Sequence, residues 1–292
     1  MVNTTLRETE ETHPRAAELD SLDTLGLLTV MNEDDAAVAA AVAPALPAVA
    51  AAVEGIAGRL AAGGRLHYFG AGTSGQLAAL DAMECPTTFG AAPDQVVAHL
   101  VAGADEDDAE AGARAAAAVA AGDAAVGISA GGETPFTLGA LGGVPAAAFR
   151  VSVTCVRGSS LARAAEIAIE VRTGAEVVAG STRLKAGTAQ KMVLNMLSTG
   201  VFARLGHVYR GRMVGVASDN AKLRERAAGI VADLTGVPAG AAATTLDAAG
   251  GDVRVAVLRL RAAVTARAAR ERLVAHEWRL QEALNEVEGG PG

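Results

Sequence analysis

The sequence of 292 residues predicts an α/β fold, a three-layer α/β/α sandwich on a five-stranded parallel sheet, with helices before it and a small helical domain after it. Three observations carry this expectation. Short apolar runs alternate five times with helical, Ala-rich stretches. Most spacers are long enough for a right-handed β-α-β crossover. Glycines and hydroxyls cluster just past the first and third runs, where open parallel sheets bind their ligands.

Met1 to Asp23 is polar and acidic and lacks the basic stretch and apolar run of a secretory signal, so a cytoplasmic protein is expected. Ser21 precedes a periodic stretch through Leu25, Leu28 and Met31, which predicts a short first helix with an N-cap. Asn32 to Asp35 then opens Ala-rich helices running to about Ala62. Within them, Ala36 to Val53 is free of charge and long enough to span a bilayer, but its alanines, Pro44 and Pro47 favour a kinked, buried helix. The five apolar runs are Arg65 to Gly72, Gln95 to Gly103, Ala124 to Gly131, Phe149 to Val156 and Ile167 to Val171. Gly180 to Leu205 reads as a loop leading into a long helix, with Ala189, Val193, Met196, Leu197 and Val201 near helical spacing. Beyond Val237 the chain is Ala-rich and then charged. The expected domains are therefore residues 1–55, 56–225 and 226–292.

Composition excludes several functions. Half the residues are apolar, but aromatics amount to five Phe, two Tyr and one Trp, too few for a base-stacking platform. A net charge of −8 argues against nucleic acid and membrane surfaces, although a local group of backbone amides can still hold a small phosphate. Arg254 to Arg272 is basic, yet Glu271, Glu277, Glu282, Glu286 and Glu288 follow closely and make a solvated face the better reading. Cys85 and Cys155 form neither a disulfide framework nor a zinc-ligand pattern, and both are expected as small buried side chains.

The first run leads into Gly70-Ala71-Gly72-Thr73-Ser74-Gly75, which satisfies the dinucleotide pattern G-x-G-x-x-G. A dinucleotide site also wants an acidic residue at the end of the second strand, and that run ends in Ala102-Gly103. Hydroxyls at Thr73 and Ser74 can donate to phosphate oxygens while a helix N-terminus supplies amides, so a single phosphate fits better. The same residues also suit a tight turn with capping hydroxyls. Ser129-Ala130-Gly131-Gly132-Glu133-Thr134-Pro135 repeats the arrangement after the third run, and two such loops on adjoining strands would converge. Gly180-Ser181-Thr182-Arg183-Leu184-Lys185-Ala186-Gly187-Thr188 is a third hydroxyl-rich stretch with two cations. Lys185 or Arg183 could offset phosphate charge, or either could pair with a carboxylate.

Gly70 to Gly75 and Ser129 to Thr134 resemble the two ligand loops of sugar-isomerase (SIS) domains, which bind phosphosugars. Asp81-Ala82-Met83-Glu84-Cys85-Pro86-Thr87-Thr88-Phe89-Gly90 and the stretch GSTRLKAGTAQKMVLNMLSTG, Gly180 to Gly200, are similar to signature segments of the N-acetylmuramic acid 6-phosphate etherases and the related glucokinase regulatory proteins. The likeness runs from Thr9-Glu10 and Asn32-Glu33-Asp34 to Asn220-Ala221-Lys222-Leu223, and chain length favours the etherases. It implies an SIS domain at residues 56–225, a homodimer, a phosphosugar substrate, no metal and no cofactor. The implied reaction cleaves the lactyl ether of N-acetylmuramic acid 6-phosphate with two glutamates as acid and base.

The match places the first glutamate at Glu84, expected at the end of a helix just before Pro86 and partly buried so that it serves as the acid. The second is placed at Glu106, as base, in Gly103-Ala104-Asp105-Glu106-Asp107-Asp108-Ala109-Glu110-Ala111-Gly112, with Asp105 and Glu110 as alternatives. Phosphate and sugar would be held by Gly72, Thr73, Ser74, Gly75, Ser129, Gly132, Thr134, Ser181, Thr182, Lys185 and Thr188. Departures from the family pattern are Gln76 in place of Arg, Gly131 and Glu133 in place of Ser and Arg, and Gly215 in place of Asp. They keep two other readings open, a non-catalytic phosphosugar regulator and a sugar phosphate isomerase.

Overall fold

A computed structural model describes residues 8–218 and 220–288; the first seven residues of the polar leader lie outside them. Two compact units are formed, one from residues 8–82 and 94–198, the other from 83–93 and 199–288. The borders expected at residues 55 and 225 fall inside helices.

The first unit opens with the short helix α1 (Ala16–Leu19) and then α2 (Thr24–Val42). Asp23 caps α2, accepting from the Gly26 amide at 2.7 Å, whereas Ser21, the expected region of the cap, donates to the Glu18 carbonyl. Asn32 to Asp35 open no new helix. They lie within α2, mostly on its solvent side, where charged residues are compatible with an unbroken helix. A 3-10 turn at Ala43–Ala45 joins α2 to α3 (Leu46–Ala61), and Pro44 and Pro47 sit in the opening turns, where an N–H has no intrahelical partner to lose. Thr24–Ala61 is long and apolar enough to cross a membrane by length and composition, with 33% of its most apolar window buried. The α3 row of Val49, Val53, Ile56 and Leu60 is buried, and α3 packs on the sheet.

All five predicted strands form: β1 (Leu66–Ala71), β2 (Val96–Val101), β3 (Ala124–Ile128), β4 (Phe149–Thr154) and β5 (Ile167–Glu170). They make one parallel sheet in the order β2-β1-β3-β4-β5. Gly70 at the end of β1 pairs with Leu100 of β2 and Ile128 of β3. The strand order therefore reverses at β1, and the loops after β1 and β3 leave the sheet side by side at this switch point.

Helix α4 (Gly72–Phe89) follows β1 directly. A 3-10 turn at Gly103–Asp107 and α5 (Ala109–Ala115) follow β2, α6 (Pro135–Gly143) follows β3, and α7 (Ser160–Ala164) follows β4. Helices α5 and α6 meet through glycines: a Cβ on Gly112 would collide with the Phe136 carbonyl, and one on Gly139 with the Ala109 carbonyl. Phe69, Ala125, Ala140, Leu141 and Leu161 fill the core on this side. Tyr68 belongs to the other side, where its hydroxyl donates to Asp81 of α4 at 3.0 Å. The long helix α8 (Lys185–Arg204) lies there too, since Ser198 Oγ donates to the same carboxylate at 2.9 Å. Strands β1 and β3, covered on both faces, are buried throughout, which is why they read as continuous apolar runs.

In the second unit β6 (Val208–Tyr209) and β7 (Arg212–Met213) form a hairpin turned by Arg210 and Gly211, both at positive φ. Five helices follow: α9 (Ala221–Thr235), α10 (Ala239–Ala248), α11 (Val253–Ala262), α12 (Ala266–Ala275) and α13 (Leu280–Glu288). Their core centres on Val231, Leu246, Leu258, Leu273 and Leu284. Both cysteines are buried, as expected, and burial pushes the Cys155 thiol up to about 12.

Candidate functional site

At the sheet's carboxyl edge, Gly72 to Gly75 form the first turn of α4, so hydroxyls and helix-end amides share one place. Ser74 is nearly buried and donates to Gln190 Oε1 of α8 at 3.0 Å. The Thr73 methyl lies 3.6 Å from where a Cβ on Gly187 would stand, so the first turns of α4 and α8 adjoin.

Glu106 reaches this loop. Its Oε1 accepts from the Gly103 amide at 3.2 Å and lies 3.2 Å from the position a Cβ on Gly72 would take. The carboxylate thus folds from the end of β2 over the mouth of the β1 loop. Its two alternatives sit differently. Glu110 is paired with Arg114 at 3.8 Å and its side chain is 92% exposed, while Asp105 is exposed one residue earlier on the 3-10 turn. Asp108 caps α5 through the Ala111 amide, which holds its carboxyl below the usual range.

In the second loop Ser129 Oγ and Thr134 Oγ1 are 2.9 Å apart, and Ser129 Oγ also accepts from the Gly132 amide at 3.0 Å. Gly132 has φ +67°, and a side chain there would strike Ser159, so only glycine fits. Glu133, which stands where the family pattern has Arg, accepts from the Ser160 amide at 2.9 Å and so closes the end of α7. Gln76 is exposed on α4.

The third stretch is spoken for by the protein itself. Buried Glu176 accepts from the Lys185 and Ala186 amides, both at 2.9 Å, and Gly187 donates to the Thr182 carbonyl at 2.9 Å. Burial pushes the Glu176 carboxyl up, and those two amides act against it. Lys185, expected to meet phosphate, is buried instead, its Nζ 2.9 Å from Asp34 Oδ2, and His13 Nε2 stands 3.3 Å from the other oxygen of Asp34. A lysine this far from water needs a carboxylate partner, and α2 supplies one. Ser181 and Thr182 are partly exposed, as is Arg183 more fully, and Thr188 faces solvent on the first turn of α8. Thr9, in a segment singled out by the resemblance, accepts the Gly180 amide at 3.2 Å. The scattered N-terminal motifs are thus fasteners for the start of α8.

Glu84 belongs to the second unit. Helix α4 does not end before it but continues through Pro86 to Phe89, and Glu84 is exposed where partial burial was expected. Ala82, Cys85 and Phe89 take the buried face, which turns Met83 and Glu84 outward. His207 Nδ1 donates to the Phe89 carbonyl, the Phe89 and Phe202 rings stack at 4.8 Å, and burial drops His207 to about 4. A Cβ on Gly215 would collide with the Phe89 carbonyl and with His207, so an Asp cannot be placed there without displacing both. A cavity of ≈ 430 Å³ opens beside Pro86, Thr87 and Ser218. Its cation, Arg254, is tied to Asp252 at 3.1 Å and lies over the Trp278 ring at 4.6 Å.

Sequence reasoning missed Gln190, Asp81 and Glu176, each buried and polar. One signal was present: Ala186, Gln190, Leu194 and Ser198 form an i+4 row on α8, and polar residues in a buried row need partners.

No protein-family profile matches the chain. A solved structure described as a phosphosugar isomerase involved in capsule formation, from Bacteroides fragilis, superposes with a TM-score of 0.50 over 65% of this chain and 95% of its own, at 20% identity, which shows the shared SIS-type fold. Among curated proteins, the N-acetylmuramic acid 6-phosphate etherase of Rubrobacter xylanophilus is 46% identical over 279 residues, 91% of this chain and 93% of the relative. The enzyme of the same name from Mycolicibacterium smegmatis is 46% identical over 278 residues, with the same coverage. At that identity over nearly the full length of both chains, this protein belongs to the N-acetylmuramic acid 6-phosphate etherase family.

Proposed function

We propose that the chain cleaves the D-lactyl ether of N-acetylmuramic acid 6-phosphate to N-acetylglucosamine 6-phosphate and D-lactate, in cell-wall amino sugar recycling, as a cytoplasmic homodimer. Family membership supports the substrate. The observation that carries the chemistry is the Glu106 carboxylate folded over Gly72, beside the hydroxyls that suit a phosphate. In the open-chain aldehyde the C2 proton is acidified by the carbonyl. Glu106 removes it, the C3–oxygen bond breaks, and a carboxylic acid, assigned to Glu84, protonates the departing lactyl oxygen. Water then adds at C3 and a proton returns to C2, which restores the sugar.

Ser74, Thr73, Ser129 and Thr134, with the helix-end amides and the close backbone of Gly72, Gly75 and Gly132, are assigned to the phosphate and sugar. Ser181 and Thr182, in the stretch before α8, and Thr188, on its first turn, are assigned to the same ligand. Lys185 is assigned to the ion pair with Asp34 rather than to the ligand. The reading is tested by incubating the purified chain with N-acetylmuramic acid 6-phosphate. D-Lactate and N-acetylglucosamine 6-phosphate are expected in equal amounts; no lactate at high protein concentration would defeat it.

A further inference from the structure

Ser74 has one hydroxyl proton, and in this structure that proton is committed. Its Oγ donates to Gln190 Oε1 at 3.0 Å, and the two residues are 9% and 1% exposed. A hydroxyl that donates to Gln190 has no proton left for a phosphate oxygen. The other half of the same carboxamide, Gln190 Nε2, is buried without a hydrogen-bond partner among the described residues. A buried N–H in that state is rarer and costlier than a carbonyl oxygen lacking a partner.

One movement relieves both. The nitrogen and oxygen of a carboxamide have nearly the same shape, so the group can turn over without new space. Nε2 then donates to Ser74 Oγ, the Ser74 proton points away from Gln190, and the carbonyl takes the place without a partner. The backbone under Gln190 is well held: Glu176 grips the start of α8, Lys185 is tied to Asp34, and Ser198 is tied to Asp81. The change is confined to one side-chain torsion.

We propose that Gln190 is a positioning residue of the phosphate loop, presenting its N–H to Ser74 Oγ so that the Ser74 hydroxyl donates outward to the bound phosphate. This rests on the assignment of Ser74 to the phosphate. It makes an unusual demand, because the isosteric Gln190→Glu keeps the acceptor seen in the structure and removes the donor. Affinities for N-acetylglucosamine 6-phosphate and inorganic phosphate are measured by calorimetry. Gln190→Glu should weaken both by about tenfold or more, the worth of a hydrogen bond to a charged group, and Gln190→Met, which leaves the Ser74 proton free, by about threefold. In the enzyme assay KM should rise by more than kcat falls, a split that loss of folded protein would not produce. In a Ser74→Ala background the Gln190→Glu penalty should shrink to its charge component, about threefold.

Binding by Gln190→Glu as tight as the unaltered chain's, or an undiminished penalty beside Ser74→Ala, overturns the role of Gln190 alone. Absence of phosphosugar binding by the unaltered chain overturns the site itself. If a variant does not fold, the side-chain amide signal of Gln190 in the unaltered chain decides: it should move on phosphate addition, and no movement refutes the proposal.

Discussion

Helix α4 begins in one kind of chemistry and ends in another. Its first turn gathers Gly72, Thr73, Ser74 and Gly75, where the Ser74 hydroxyl is held by the Gln190 carboxamide, a side chain that can exchange partners, and the Glu106 carboxylate lies over Gly72. Its last turn buries Cys85 and Phe89, and the Phe89 carbonyl is occupied by His207 against the bare backbone of Gly215. Pro86 lies within that last stretch, in a helix interior where it has no N–H to give, and the two compact units divide a few residues earlier, after Ala82. The contrast shows how one helix can serve two purposes. Polar atoms kept by adjustable partners remain open to a ligand, while polar atoms consumed by packing fix a frame.

The sharpest break of this comparison is at the carboxylates. Glu106→Gln should lower turnover by about a thousandfold while phosphosugar affinity stays within a few-fold, since a general base is lost and the loop hydroxyls remain. Glu84→Gln should do the same through loss of the acid. D-Lactate release and calorimetry measure the two quantities. If Glu106→Gln turns over normally and Asp105→Asn or Glu110→Gln does not, the base moves along the 3-10 turn.

Next in size is Asp81, in the middle of the helix. Asp81→Ala removes the carboxylate that accepts from the buried Tyr68 and Ser198 hydroxyls, Ser198 keeping the Leu194 carbonyl at 3.1 Å, and denaturant unfolding should show a loss of about 2–4 kcal/mol. At the packed end, Gly215→Ala should cost about 1–3 kcal/mol by pushing the Phe89 carbonyl and His207 apart, with phosphosugar affinity little changed. An equal loss of affinity in that variant would show that the two ends of α4 are not separable in function.

A further effect is with pH. Burial lowers both His99 and His207 to about 4, with His67 adding to the effect at His99. The unfolded chain therefore binds more protons than the folded one between about pH 6.5 and pH 4. Stability should be complete above pH 6.5 and decline as pH falls toward 4. His99→Phe should flatten part of the decline in melting temperature across that window.

Much of the fold was legible because its signals are local. Five β runs of four to six residues stand within predicted stretches that overshoot an end by one to three residues, since the glycine-bearing loop residues are chemically continuous with the strand before them. Helix boundaries were harder. Asn32 to Asp35 looked like an opening and Pro86 like a stop, but a solvent face accepts the first and surrounding packing overrides the second. In the candidate site, residue type and resemblance pointed to the two loops and Glu106, and the fold brings the Glu106 carboxylate beside Gly72. The partner of Lys185 could not: the lysine and Asp34 lie on α8 and α2, and only their shared burial makes the pair necessary.

The sequence by itself determined the parallel sheet, the place of its glycine- and hydroxyl-rich loops and the family, because periodicity, glycine position and signature segments are read along the chain. Tertiary structure decided which polar groups remain for a ligand. Ser74 and Gln190 are 116 residues apart, and Glu106 reaches Gly72 from a neighbouring strand. A hydroxyl, a lysine or a helix-end amide looks the same in sequence whether it is free or taken. Burial forces each to find a partner, and the partner is chosen by the fold.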